Sequence, residues 1–170
     1  MRLGLLIYGT LSTPSGGYLY DRKLVEYLER QGDQVEIISL AWRNYACHLG
    51  DNFSPSLLRR LGKLQVDLLL QDELNHPSLA FANHRLRKRV DYSFVSVVHH
   101  LRCSEARLAW QNRLYAIVER SYLTSLDGFV FNSHTTRSAV QGLLGCQACP
   151  PWIVAYPAGD RLGAKITEAE

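Results

Sequence analysis

The chain has 170 residues, of which 46% are hydrophobic and 21% charged, and its formal net charge is +3. This length allows one well-cored domain and is too short for two domains of ordinary size. The charge is too small for a dedicated nucleic-acid-binding protein, so we expect no nucleic-acid partner. No apolar run approaches the length of a membrane span and no signal peptide is recognisable, which predicts a cytoplasmic protein.

The chain begins with an apolar strand, a glycine-rich loop and a helix. Residues 3–8 are typical of a strand buried on both faces of a parallel sheet, and we expect this strand to be the central one. The loop at 9–17 ends in Gly16 and Gly17, and the next helix places Tyr20, Leu24, Tyr27 and Leu28 on one face. Such a loop and helix N-terminus suit an anionic ligand. The loop lacks the dinucleotide and Walker sequences, so a glycine turn without a ligand stays an open alternative.

Strand and helix patterns then alternate to the end of the chain. We predict strands at 34–40, 66–71, 93–98, 127–131 and 152–156, and helices at 55–62, 78–89, 104–125 and 133–144. The stretch 41–54 is predicted to be a long irregular connection of the kind that serves binding. The apolar stripe of the helix at 104–125 consists of Trp110, Leu114, Ile117, Val118 and Tyr122. The alternation predicts an α/β fold, a Rossmann-like doubly wound parallel sheet of about six strands in a three-layer αβα arrangement.

Polar side chains are concentrated at the carboxyl ends of these strands. Ligands of doubly wound sheets bind beyond those ends. The residues at these positions are Gly16, Gly17, Asp72, Glu73, Asn75, His76, His99, His100, Arg102, Asn132, Ser133, Thr136, Gly159 and Asp160. Buried strands need apolar residues, so only their ends can present carboxylates, amides and imidazoles to a ligand. The sequence therefore predicts a functional site at this edge of the sheet.

Each of these residues also has a structural explanation that the sequence leaves open. His99 ends an apolar strand and is compatible with a hydrogen-bonded core histidine, whereas His100 is compatible with a histidine that faces water. Asn132 and Ser133 are ordinary helix-capping residues. Asp72 and Glu73 are compatible with a solvated turn, and an acid–base pair is not predicted from two adjacent carboxylates.

Five segments of the chain carry a family resemblance. They are GGYLYDRKLVEYL at 16–28, QVEIISL at 34–40, VHHLRCSE at 98–105, FNSHTTR at 131–137 and YPAGD at 156–160. In this order they resemble the N-terminal half of a family-4 retaining glycosyltransferase, an enzyme of the two-domain GT-B fold. The resemblance implies that residues 1–160 form the Rossmann-like acceptor-side domain, one half of a GT-B architecture. It implies that 161–170 begin an interdomain linker, with the C-terminal donor-binding domain absent.

The resemblance also implies a function. It implies a hexosyltransferase-type enzyme that transfers a sugar from a nucleotide-sugar to a sugar, lipid or small-molecule acceptor with retention. Gly16 and Gly17 would approach the donor phosphates, and His99 or His100 would be the catalytic histidine near the transferred sugar. The acceptor-binding residues that it implies are Asp72, Glu73, Asn75, Arg102, Asn132, Ser133 and Thr136, with Gly159 and Asp160 in the interdomain cleft. No cofactor or metal is implied, and a C-terminal domain or partner subunit is needed, so the isolated chain is expected to be inactive.

The sequence also bears on two other classes of function. A noncatalytic binding or regulatory domain that pairs with a separate donor-binding subunit stays open as an alternative. A nucleotide-dependent oxidoreductase is disfavoured, because the glycine fingerprint is absent. In addition, Leu40, Ala41 and Trp42 stand where an acidic residue would end the second strand.

Two further patterns have both a functional and a structural interpretation. The basic run at 84–89, with Arg85, Arg87, Lys88 and Arg89, is compatible with peripheral contact with the inner membrane face, and also with a solvated helix end. Cys146 and Cys149 have redox or zinc spacing. No second cysteine pair follows, so incidental thiols or a local disulfide are favoured over a metal site.

Overall fold

The structure is a computed structural model that describes residues 1–145 and 150–157. Six parallel strands form one sheet in the order β2-β1-β3-β4-β5-β6. The strands are β1 (Arg2–Tyr8), β2 (Gln34–Leu40), β3 (Leu68–Asp72), β4 (Ser93–Val98), β5 (Gly128–Phe131) and β6 (Trp152–Val154). The predicted α/β fold with a six-stranded parallel sheet is confirmed. The prediction that the first strand is central is wrong, because β1 lies beside the edge strand β2.

Seven helices of the described residues flank the sheet. They are α1 (Gly16–Arg30), α2 (Tyr45–Asp51), α3 (Pro55–Leu61), α4 (His76–Leu79), α5 (Ala82–Leu86), α6 (Ala109–Leu123) and α7 (His134–Leu144). Short 3₁₀ turns lie at Glu73–Asn75 and Arg102–Ser104. The strand order reverses direction between β1 and β3, and such a switch point is where doubly wound sheets bind ligands.

The core has two parts, one on each face of the sheet. On one face, Leu5 of β1 belongs to a buried cluster with Tyr18 and Val25 of α1. On the other face, Phe94 of β4 belongs to a larger cluster that includes Tyr122 of α6, together with residues of α3, α5 and α7. Burial of these apolar side chains is the main force that holds the helical layers on the sheet. This arrangement gives the three αβα layers that the sequence predicts.

The helix ends follow the capping residues in the sequence. The Ser15 hydroxyl accepts a hydrogen bond from the backbone N–H of Tyr18 (3.2 Å) and thereby begins α1. Gly32 follows α1 with φ = 89°, and Gly145 follows α7 with φ = 65°, a backbone region that favours glycine. The inward face of α1 is centred on Tyr18, Asp21 and Val25. Of the predicted apolar face, Tyr20, Leu24 and Leu28 pack against the edge of the core cluster on this side of the sheet, whereas Tyr27 is exposed.

Three predicted segments differ from the structure. The connection at 41–54 contains α2, which the Asn44 side chain caps by accepting a hydrogen bond from the backbone N–H of Cys47 (2.9 Å). The helix predicted at 78–89 is divided into α4 and α5. The helix predicted at 104–125 begins only at Ala109, since Glu105 has an extended backbone. In the 3₁₀ turn before it, the backbone N–H groups of Arg102 (2.6 Å) and Cys103 (3.0 Å) donate to the Glu119 carboxylate.

The inward face of α6 is also not the predicted one. Trp110, Leu114 and Ile117 have 55–64% of their surface exposed, whereas Tyr122 is 1% exposed. The inward side of α6 carries the core residues Tyr122 and Leu123, and Val118 packs against the same core, so the other three residues of the predicted stripe face outward.

The predicted basic run is partly engaged within the protein. Arg85 donates a hydrogen bond to the backbone oxygen of Asn52 (2.9 Å), and Arg87 forms an ion pair with Asp127 (2.6 Å). Lys88 and Arg89 are exposed. Among the described residues, no helix has the length and apolar character that a bilayer span requires.

Some predicted features lie outside the described residues. These are Cys146, Cys149, Gly159, Asp160 and the predicted linker at 161–170. The other two cysteines, Cys47 and Cys103, are free thiols.

Candidate functional site

A groove with a volume of about 270 Å³ lies at the carboxyl ends of β1, β3 and β4. Its lining includes Tyr8, Trp42, Tyr45, His76, His100 and Arg102. Tyr8 ends β1, whereas His76 follows β3 and His100 follows β4, so the groove occupies the switch point of the sheet. Of the predicted site residues, Glu73, His76, His100 and Arg102 line this groove, whereas Gly17, Asp72 and His99 are not part of its lining.

His99 follows β4 and is held in place by the first turns of α1. Its Nε2 atom lies 3.2 Å from Oδ1 of Asp21, and the ring of Tyr20 meets it edge-on with a centroid distance of 5.0 Å. A Cβ atom added to Gly17 would lie 3.5 Å from Cδ2 of His99, so this glycine directly adjoins the imidazole. The backbone N–H of His99 donates a hydrogen bond to Glu73 Oε2 (2.7 Å). Two predicted residues thus adjoin a third, His99: Gly17 lies beside its imidazole, and Glu73 holds its backbone.

Three acidic side chains are buried beside this imidazole. Asp21 and Asp72 have no exposed surface, and Glu73 is 5% exposed. Burial, with a smaller contribution from the charge of Asp21, raises the pKa of Asp72 to about 7. Burial and the nearby Asp72 also raise the pKa of Glu73. Burial alone would lower the pKa of His99, but its hydrogen bond to Asp21 and the Asp21 charge outweigh burial and raise that pKa.

The same cluster offers potential metal ligands. Asp21, Asp72 and His99 each present one ligand atom, and these atoms lie within 4.8 Å of one another. Carboxylate oxygen and imidazole nitrogen are ligand types that zinc and other divalent transition metals accept. Within residues 1–145 and 150–157, this is the one group of three such side chains with that spacing.

The polar residues after β5 hold the backbone of His99. The Nδ2 group of Asn132 donates a hydrogen bond to the carbonyl oxygen of His99 (2.9 Å), and the Thr136 hydroxyl lies 3.2 Å from the same oxygen. Ser133 caps α7 by accepting a hydrogen bond from the backbone N–H of Thr136 (3.1 Å). The capping explanation therefore applies to Ser133, and Asn132 and Thr136 fix the position of His99.

The aromatic part of the groove surrounds His76 and Arg102. The Nδ1 atom of His76 lies 2.9 Å from the Glu73 carbonyl oxygen, and Nε2 lies 3.1 Å from the Tyr45 hydroxyl. Burial lowers the pKa of His76 to about 4, so the ring is neutral at pH 7. The Arg102 guanidinium lies over the Tyr45 and Tyr115 rings, 5.1 and 4.8 Å from their centroids. Tyr45 lies in the stretch at 41–54 that the sequence predicts to serve binding, but it is not among the predicted site residues, and the helix α2 that carries it was not predicted.

The side chain of Asn75 lies next to this region but forms no hydrogen bond with a described residue. Its side chain has no exposed surface, and neither its amide oxygen nor its amide nitrogen has a hydrogen-bond partner among residues 1–145 and 150–157. By contrast, His100 is exposed and its Nε2 atom lies 3.2 Å from Oε1 of Glu105. Gly16 is also exposed, at the N-terminus of α1.

A second buried cluster, at His48, Asp51 and Ser78, lies beside Tyr8. The Ser78 hydroxyl donates to Asp51 Oδ2 (2.7 Å), and Nε2 of His48 accepts from the backbone N–H of Arg43 (3.1 Å). Because Nε2 accepts this hydrogen bond, the neutral His48 ring carries its proton on Nδ1. The ring therefore has no free lone pair with which to remove a proton from Ser78, and the cluster is not a serine hydrolase triad. The sequence signal for this cluster was the polar stretch after β2, which was predicted as a binding loop.

The fold and the site together define a Rossmann-like α/β protein with a buried acid–histidine cluster at the switch point of its sheet. Comparison with known proteins adds no family: no protein-family model matches the chain, and no curated protein shows significant similarity to it.

Proposed function

We propose that this chain is the acceptor-binding domain of a GT-B glycosyltransferase that transfers a sugar from a nucleotide-sugar with retention. The observation that carries the proposal is the proximity of Gly17 and His99, from two distant segments of the chain: a Cβ atom added to Gly17 would lie 3.5 Å from Cδ2 of His99. The sequence resemblance assigns the donor-phosphate loop to Gly17 and the catalytic histidine to the end of β4. A groove large enough for a small acceptor lies beside them.

Several charged side chains along the groove are already paired within the protein, whereas Arg102 forms no ion pair with a described residue. His100 is paired with Glu105, Glu105 also with Arg107, and Arg43 with Asp51. A phosphorylated or carboxylated acceptor would have to compete with these internal partners. Aromatic side chains such as Trp42 and Tyr45 offer apolar faces beside polar groups, which is the environment that a sugar ring needs.

A complete transferase also needs a site for the leaving diphosphate. Retaining transfer requires that the diphosphate be stabilised while the acceptor hydroxyl is held against the anomeric carbon. The resemblance assigns the first task to a donor-binding domain, so we propose that a C-terminal domain or a partner subunit supplies it. On this proposal the chain alone binds an acceptor and does not turn over a nucleotide-sugar.

The test uses the 170-residue chain with ¹⁵N-labelled histidines. Imidazole spectra are recorded with a panel of methyl hexopyranosides at millimolar concentration, and turnover is measured with UDP-glucose and GDP-mannose. We expect at least one glycoside to shift the resonances of His76 and His100 and to leave His84, outside the groove on α5, unchanged. Turnover of either nucleotide-sugar by this chain alone, or no response to any glycoside, would contradict the proposal.

A noncatalytic domain that pairs with a separate donor-binding subunit is the second candidate. The exposed apolar surface on and before α6 favours it, because such a surface often marks a protein contact. It consists of Leu108, Trp110, Leu114 and Ile117. The two candidates differ in whether the reading frame continues into a second Rossmann-like domain.

A further inference from the structure

Arg102 lines the groove without a charged partner among the described residues. Its Nε atom is buried and has no hydrogen-bond partner within residues 1–145 and 150–157. Buried polar groups of proteins nearly always have a partner, and a guanidinium has five N–H donors and no acceptor. The groove therefore contains a cationic donor that the described part of the chain leaves unused.

The guanidinium of Arg102 is held in place by aromatic contacts. It lies 5.1 Å from the centroid of the Tyr45 ring and 4.8 Å from that of Tyr115, and these two rings meet edge-on at 4.9 Å. The backbone N–H of Arg102 donates to Oε1 of Glu119 (2.6 Å), which fixes the start of the side chain. Contacts with aromatic faces leave guanidinium N–H groups available for hydrogen bonds. Because the side chain is already ordered, a ligand binds it without the entropic cost of ordering it.

The acidic side chains of the groove do not pair with this guanidinium. Glu105 is paired with His100 and with Arg107. The two carboxylate oxygens of Glu119 each accept a hydrogen bond from a backbone N–H group. Both carboxylates are thus engaged by other donors. The internal competition that the paired cations of the groove impose on an anionic ligand does not arise at Arg102.

The groove also offers surface for the rest of such a ligand. Its volume of about 270 Å³ suits a small molecule, and its lining includes Trp42 and Tyr45. Aromatic rings pack against the apolar carbons of a sugar, whereas a guanidinium binds an acidic group. The lining therefore combines apolar surface for a sugar ring with one cation for a substituent on that ring.

We propose that Arg102 binds an anionic substituent, a carboxylate or a phosphate, on the ligand of the groove. The planar fork of N–H groups on a guanidinium matches the oxygens of an oxyanion, and such charge-assisted hydrogen bonds are stronger than those to a neutral hydroxyl. This inference rests on the proposed function for one point, that the ligand is a sugar acceptor. The acceptor is then a sugar that carries an acidic group.

The first experiment tests the anion site without any sugar. The wild-type chain with ¹⁵N-labelled arginine is titrated with sodium phosphate and, separately, with sodium acetate, at constant ionic strength set by sodium chloride. The spectrum of Arg102→Gln identifies the Nε–H signal of Arg102. We expect at least one of the two anions to shift this signal saturably and to leave the signal of exposed Arg113 unchanged. No saturable shift with either anion would overturn the proposal.

The second experiment compares three sugars that differ in one substituent. They are methyl glucoside, methyl glucuronide and methyl glucoside 6-phosphate. We expect at least one of the acidic sugars to bind about ten-fold or more tightly than methyl glucoside, which is the size of effect that a hydrogen bond to a charged group has. The tighter of the two acidic sugars distinguishes a carboxylate from a phosphate. Equal affinities for all three would overturn the proposal, and if none of them binds, the titration with the free anions decides.

Variants of Arg102 test whether this side chain causes the preference. Arg102→Gln should remove the preference for the acidic sugar, and Arg102→Lys should keep part of it, because lysine retains the charge but lacks the planar fork. Arg113→Gln removes the same charge from an exposed site on α6 and should bind as the wild type does. An unchanged preference in Arg102→Gln would overturn the role of Arg102. If that variant fails to fold, Arg102→Lys identifies the signal and the wild-type titration decides.

Failure of this inference is distinguishable from failure of the proposed function. Neutral and acidic glycosides that bind equally well would contradict the anion site and leave the acceptor domain in place. Phosphate or acetate that binds at Arg102, with no response to any glycoside, would contradict the acceptor domain and leave the anion site in place.

Discussion

Replacing Asp72 by asparagine should remove a specific pH dependence of stability. The pKa of Asp72 is raised from its ordinary value of 3.8 to about 7 in the folded protein, first by burial and then by Asp21. Because the folded-state pKa is the higher one, the folded protein binds this proton more tightly than the unfolded chain. The resulting stabilisation is fully present below pH 3.8 and is lost as the pH rises through 7.

The size of the effect follows from the two pKa values. At about 1.4 kcal/mol per pH unit, ionised Asp72 costs the native state about 4 kcal/mol, of which about 2–3 kcal/mol appears between pH 5 and pH 8. Urea unfolding of wild type and Asp72→Asn at several pH values in this range measures the difference between their slopes. Asp91→Asn, at an exposed site, is the control and should keep the wild-type slope. Equal slopes for wild type and Asp72→Asn would refute the reasoning.

Three further predictions concern single contacts. Glu119→Gln should lower the free energy of unfolding by about 2–4 kcal/mol, because a charged acceptor of two backbone N–H groups is lost. Urea unfolding measures this change, and Glu36→Gln, at an exposed site, is the control that should change the free energy little. Gly17→Val should displace the imidazole beside it and alter the His99 NMR signal, whereas Gly16→Val, with open space around it, should not. The pKa of His76 is lowered to about 4 in the folded protein, so the unfolded chain gains this proton first as the pH falls, and the protein loses stability. His76→Gln should therefore reduce the loss of Tm between pH 6.5 and 4.5. An unchanged loss of Tm over this range would argue against a neutral buried ring.

The fold was predictable because local patterns and burial agree along most of the chain. Mainly apolar runs of 4–7 residues form the four largely buried strands β1, β3, β4 and β5. Ser15, Ser54 and Ser133 begin helices as capping residues do. The strand order was not accessible in the same way, because it depends on packing between distant segments.

The partner of His99 was missed because apolar residues alone were used to orient α1. Asp21 stands four residues after Gly17 and four before Val25, so one helical face carries all three. An acidic residue in the middle of an inward face was the available signal. The predicted orientation of α6 was wrong for the same reason. The polar Glu119 faces the protein interior, whereas the apolar Trp110 faces outward.

The central claim is that an acceptor binds in the groove beside His99, at the switch point of the sheet. A crystal structure of the chain with a methyl glycoside that binds in solution tests this most directly. We predict density for the sugar between Trp42 and His100, within hydrogen-bond distance of groove side chains. A sugar bound only elsewhere, for example on the exposed surface of α6 around Trp110, would contradict the account.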